Sequence, residues 1–275
     1  MTTTLAPAAA STTISSGAGL RVTQVRVLLS EWTKFRSLRS TVTTLLIAIV
    51  VMICLGAMFA AITASQTTGF EPGATAVSTS LTGTFFAQLA VGVLGVLLIT
   101  GEYSTGMIRS SLTVVPSRLP TLWGKLAVFA GTVFLTMLAA SFTSFFIGQA
   151  LLSGKHLDVS LSDPGVLRSV LGASLYLTVA GLTAIALGAL LRNTAAAITT
   201  FVAVFFVIPP LTNLLPTSLT DHFVQYLPSN AGAVMLDGTF GVAHPLTPWT
   251  GFAVMCTYAV VLIGLAAWRL RRVDA

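Results

Sequence analysis

Charge is what this sequence has least of. Only 8% of its 275 residues are Asp, Glu, Lys or Arg, against roughly 25% in soluble domains. A water-soluble globule is excluded, and so is the basic, aromatic-studded surface that grips nucleic acid. Cysteine is almost as scarce: Cys54 and Cys256 both sit in apolar runs, where thiols pack as small hydrophobes, so no disulfide framework is implied. His156, His222 and His244 are scattered without a second ligand at metal-binding spacing, and no metal site is expected.

Chemistry is missing as well. Gly124-Lys125 is followed by Leu126 and lacks the upstream glycine of a phosphate loop, so the chain has no ATP cradle of that kind. Without a GxSxG elbow, an HExxH helix or paired carboxylates in an apolar run, it does not read as an enzyme. Ion-coupled carriers keep a titratable group inside the membrane, and the centres of the apolar runs hold none.

Apolar length is abundant: 55% hydrophobic residues and a mean hydropathy of +0.91 mark an integral membrane protein. Six runs are long enough to cross the roughly 30 Å hydrocarbon core. They lie near Thr41–Ala64, Leu81–Thr100, Leu126–Leu152, Val166–Leu191, Thr194–Leu215 and Trp249–Trp268. The fold class is therefore all-α, with six transmembrane helices. Lys155 and Arg168 are the only basic residues that fall on one side of this arrangement; the other twelve of fourteen fall on the opposite side. By the positive-inside rule both termini are expected to be cytoplasmic, in a prokaryotic-type plasma membrane.

Outside the spans, residues 1–20 are rich in Ala, Ser and Thr and are expected to be a disordered tail. From Arg21 to Ser40, Val25, Leu28, Trp32 and Phe35 recur at helical steps while Arg26, Glu31, Lys34, Arg36 and Arg39 supply charge. This predicts an interfacial amphipathic helix meeting anionic lipid, with Trp32 suited to that depth. Lys125 and its charged neighbours, like Arg168, lie at span ends and are expected to snorkel to the interface.

The loop Gly101–Lys125 holds a second amphipathic stretch. Ile108, Leu112 and Val115 share one helical face, Arg109 faces away and Pro116 ends the segment. About ten residues of helix is marginal alone, so a partner would order it; an ordinary positively charged loop is the other reading. The small residues Gly56, Ala60 and Ala64, and Ala180, Ala184 and Gly188, permit close helix contact within one chain or between two. Pro209-Pro210 should kink or break the fifth run. The long connection 216–248 either dips back into the membrane or packs on the helix ends. Phe85, Phe86, Gln88, Phe201, Phe205 and Asn213 either line a path for an amphipathic substrate or pack between helices and face lipid.

Two stretches, SEWTKFRSLRS entering the first span and GEYSTGMIRSSLTVVPSRLPTLWGK after the second, resemble membrane subunits of ATP-binding-cassette exporters of the type-2 permease family. Glu102, Thr105, Gly106, Arg109, Pro116, Arg118 and Lys125 carry most of the likeness, which extends over residues 21–275. The resemblance implies a permease subunit paired with a second permease chain, identical or homologous, and with a separate ATPase that holds ATP and Mg. It implies that the loop 101–125 carries the helix on which that ATPase docks, with Glu102 near the contact, and that Lys34, Arg36 and Arg39 belong to a connecting helix. It implies export, and a path lined by Phe, Leu and small residues would favour amphipathic or lipid-like cargo such as an antibiotic. A stand-alone carrier and a membrane-embedded immunity or regulatory partner are the rival readings.

Overall fold

The computed structural model describes residues 24–65, 74–104, 118–212, 214, 223–236 and 245–272. The expected tail, the middle of the loop after the second span, and parts of the connection 216–248 lie outside them. Among the described residues there is no strand, and six helices are long and apolar enough to cross a membrane.

The amphipathic stretch forms α1 (Gln24–Ser37), which breaks at Leu38 before α2 (Arg39–Ser65), the first span. Arg39, expected on the interfacial helix, instead begins the span. The second span is built from α3 (Ala74–Ser80), a turn at Leu81-Thr82, and α4 (Gly83–Ser104), so it starts earlier than hydropathy suggests.

The third span, α5 (Arg118–Ser153), departs most from expectation, beginning eight residues before Leu126. Pro120 lies in its first turn, where a missing N–H costs nothing. Lys125, placed in the loop by its charge, is helical. Then come α6 (Val166–Leu191) and α7 (Thr194–Val202), joined by the expected tight turn. Arg192 closes α6 in the left-handed region at φ 52°, its N–H donating to Gly188 O, and Asn193 caps α7 by accepting from the Ala196 N–H at 3.0 Å.

Where Pro209 and Pro210 withdraw two donors, the helix passes through a π turn at Ala203–Val207 before continuing as α8 (Ile208–Thr212). This is the disruption the two prolines predict. After a 3₁₀ turn at Val224–Tyr226 come the short α9 (Pro228–Ala233), a second such turn, and the last span, α10 (Pro248–Arg272).

The bundle is organised around α6, whose most apolar window is 78% buried, against 17% for the α7–α8 span and 22% for α10. Its small residues explain why. Ala180, Ala184 and Gly188 are buried, and a Cβ on Gly188 would run into Ile99 of α4. On α2, Gly56 and Ala60 are buried too, and a Cβ on Gly56 would overlap Ser80 and Ser144. Both small-residue stripes therefore pack within one chain.

Residues 228–236 of the long connection are seated in the bundle. Gly232 lies against Tyr176 of α6 and Met255 of α10, and Asn230 Nδ2 donates to Val224 O at 3.0 Å. Tyr176 is ten residues into α6, so the segment descends about 15 Å along that helix. The connection thus dips back beside α6, where Asn230 is paired and the Ser229 hydroxyl is buried without a hydrogen-bond partner.

Candidate functional site

The end of the bundle that gathers the start of α5 and the ends of α4, α6 and α10 carries most of the chain's basic residues. There α1 lies against α5 in two rungs. Phe35 meets Phe129 edge-on, with ring centroids 6.5 Å apart. One turn earlier on each helix, Glu31 meets Lys125, with Oε2 and Nζ 2.8 Å apart. The same ammonium donates to Glu102 Oε1 of α4, also at 2.8 Å. Lys34 closes the set, 2.9 Å from Glu31 and 3.7 Å from Glu102.

Burial makes this cluster more than surface decoration. The side chains of Glu31 and Lys125 are each 4% exposed, Glu102 13% and Lys34 35%. A lone charge so buried would cost several kcal/mol, and two carboxylates against two ammonium groups remove that cost. Burial alone would raise the Glu31 carboxyl, but the charge and hydrogen bond of Lys125, aided by Lys34, overcome it and hold its pKa below the ordinary value. Likewise burial would lower Lys34, yet Glu31 and Glu102 raise it.

Two neighbours brace the same end. Arg192 stacks over the Tyr103 ring at 5.3 Å, and Arg269 of α10 donates to Leu190 O at the end of α6. The cluster ties α1 to both helices that flank the stretch 105–117.

The structure corrects the expected faces of α1. Val25, Leu29 and Trp32 form its outer apolar stripe, 64%, 60% and 45% exposed, while Glu31 and Phe35 point inward. Arg36 and Arg39 are exposed, as expected of residues at an interface, whereas Lys34 turns toward Glu31. Lys125 does not snorkel, because the carboxylates of Glu31 and Glu102 reach it inside the protein.

Of the loop residues expected at a docking surface, Glu102 is held in the cluster and Arg118 begins α5. Thr105, Gly106, Arg109, Leu112 and Pro116 lie outside the described residues, as does Asn213. Among the path candidates, Gln88 is buried and accepts a hydrogen bond from the Tyr176 hydroxyl, and Phe85 tilts against the same ring at 6.2 Å. Phe201 and Phe205 stack at 4.7 Å in the core, with Phe201 against Gly92. Phe86 alone of the described candidates is exposed.

The pairing of Glu31 with Lys125 was missed by reading charges as solvated. A signal was available, since Glu31 and Glu102 are the only acids on the basic side between Arg21 and Lys125. A carboxylate beside so many cations at a membrane edge is expected to be paired.

The chain matches the family described as "ABC-2 family transporter protein" over residues 27–210, about two thirds of its length. No individual curated protein matches it.

Proposed function

This chain belongs to the ABC-2 transporter permease family, and from that premise we propose that its clamped α1–α4–α5 corner is where an ATPase subunit drives it. As a membrane permease subunit of an ABC transporter, it works with an ABC ATPase subunit. The ATPase docks on the loop 101–125 and holds ATP and Mg on its own surface. The basic end of the bundle is the cytoplasmic end.

The observation that carries the reading is the Lys125 ammonium, held at 2.8 Å by both Glu31 and Glu102. A push on the loop reaches α4 and α5 directly, because they flank it. Through Lys125 it also reaches α1, and through Leu38 the start of α2. The corner moves as one body, and rigid-body displacement of this kind rocks spans between inward- and outward-open arrangements. ATP drives the change only to the extent that the two arrangements bind the closed ATPase dimer differently.

A second permease chain, identical or homologous, completes the transporter. Its cargo is amphipathic or lipid-like and is exported along a path between the chains. The exposed Phe86 face of α4 is available to line that path, whereas Gln88, Phe201 and Phe205 are packed inside the single chain.

The test is mild-detergent pull-down from native membrane followed by mass spectrometry, comparing the wild type with a chain altered across residues 106–115. An ATPase retained by the wild type and lost by the altered chain is the expected result. Equal retention by both moves docking elsewhere. Absence of any ATPase while the protein stays folded overturns the reading.

A further inference from the structure

Beside the charge cluster, the elbow between α1 and α2 leaves a cavity of about 470 Å³ against the last turns of α4. Sites for small molecules run from roughly 300 to 1,000 Å³. Most of its wall is apolar, with Phe35, Leu94 and Leu98 inside and Leu97, 40% exposed, at the rim. Its charged lining is the cluster itself, Glu31, Lys34, Glu102 and Lys125, joined by Ser37 and Ser40, while Thr41 and Thr44 line it farther along α2. Water would find few partners along the apolar part.

We propose that this cavity binds one anionic phospholipid, with an acyl chain against Leu94 and Leu98 and the headgroup phosphate at Lys34 and Ser37. The molecule that laterally meets an open apolar cleft in a membrane span is lipid, and a chain tipped by a single charge matches a cleft charged at one end. The sign of the headgroup follows from the surrounding charges. Glu31 and Glu102 are balanced by Lys125 and Lys34, so the cluster is neutral. Arg36 and Arg39 do not line the cavity, but both are exposed on the same elbow and add positive charge to the surface beside it. Lys34 has three N–H donors, of which one bonds Glu31 at 2.9 Å and a second faces Glu102 at 3.7 Å, leaving one for phosphate. A lipid seated here would brace the elbow at Leu38, adding an element to the corner through which α1 moves.

The experiment is native mass spectrometry of the full chain in mild detergent, titrated separately with dioleoyl phosphatidylglycerol, dioleoyl phosphatidylcholine, dihexanoyl phosphatidylglycerol and inorganic phosphate. We expect one retained dioleoyl phosphatidylglycerol at roughly fivefold lower concentration than phosphatidylcholine, as one lysine at a membrane surface supplies. Dihexanoyl phosphatidylglycerol and phosphate should be held at least tenfold more weakly, and Leu97→Trp should abolish retention by filling the rim. Equal retention of the two dioleoyl lipids, or of long- and short-chain phosphatidylglycerol, overturns the proposal without need of any variant. So does retention lost in Arg36→Gln/Arg39→Gln but unchanged in Leu97→Trp, which would put the lipid on the outer face of α1. None of these outcomes depends on whether an ATPase docks.

Discussion

At the basic end of the bundle, α1, α4 and α5 meet through two lysines and two glutamates that make Lys–Glu contacts of 2.8–3.7 Å. At the far end, α9 is seated on α6 and α10 through Gly232, Gly251 and buried apolar side chains. Hydrogen bonds stitch nearby elements there: Ser144 Oγ donates to Ser80 O at 2.7 Å, and Gln149 joins α5 to Ser80 Oγ at 3.1 Å and the Val159 N–H at 2.8 Å. The two ends should fail differently. Removing one member of a buried ion cluster strands its partners, whereas an apolar seat loses contact area by degrees. On the proposed reading, the strict joint lies at the end the ATPase pushes.

The largest expected effect tests the strict joint. Lys125→Met leaves two carboxylates buried without their shared cation and should destabilise the protein by about 3–5 kcal/mol. The triple variant Glu31→Leu/Lys125→Met/Glu102→Leu removes the stranded carboxylates too, leaving only Lys34, which at 35% exposure can turn to solvent, and should recover most of that loss. Chemical unfolding in bilayer nanodiscs measures both. A triple variant no more stable than Lys125→Met would mean the corner is held by something other than its charges, erasing the contrast between the ends.

Next in size is a bulk test of the far end. A Cβ on Gly251 already crowds the Ala231 carbonyl, so Gly251→Leu must push α9 off α10, at about 1–3 kcal/mol for overpacking. Hydrogen exchange should quicken across residues 228–236 while α1 stays protected. Exchange that rises equally at both ends would show that they are coupled rather than separate joints.

Between the two ends, Gln88 offers a smaller test. Losing the bond from Tyr176 in Gln88→Leu should cost about 0.6–1.7 kcal/mol, the span measured for polar contacts inside membranes. Combining it with Tyr176→Phe should recover most of that loss and be nearly neutral against the wild type, since both polar groups are then gone. A Gln88→Leu protein of unchanged stability and altered flux would return Gln88 to the transport path.

The spans were legible because twenty apolar residues have few uses other than crossing a membrane. α6 shows this best, its ends at Val166 and Leu191 matching hydropathy to the residue. α5 shows the limit. Hydropathy penalises Lys125 and ends the span there, but the helix runs on through it, and the carboxylates that let it stay buried lie far off in sequence at Glu31 and Glu102. The faces of α1 were misread for the same reason, since Val25, Leu29 and Phe35 are all strongly apolar and only the position of α5 decides which is inside. Tyr176 likewise gave no signal, as its partner Gln88 is a whole span away. What sequence reveals is the affinity of a residue for lipid or water; pairing between distant helices needs the packed chain.

The smallest expected effect is the pH response of the basic end, and its sign is fixed by Glu31. That carboxyl's pKa is lowered from 4.5, so its contribution to stability is complete above 4.5 and is lost as pH falls through the lower folded value. Lys34 works in the opposite direction: its pKa is raised from 10.5, so its contribution is complete below 10.5 and is lost as pH rises through the higher folded value. Between those limits this pair should leave stability flat. On acidification below 4.5 the loss should be modest, because burial of Glu31 opposes the pull of Lys125 and only the difference is felt. Unfolding of wild type and Glu31→Gln from pH 7 to pH 3 isolates that difference, with the steeper acid loss expected in the wild type. If the wild type instead gained stability on acidification relative to Glu31→Gln, desolvation would outweigh pairing. The basic end would then hold strain, and its charges would favour release over transmission of a push.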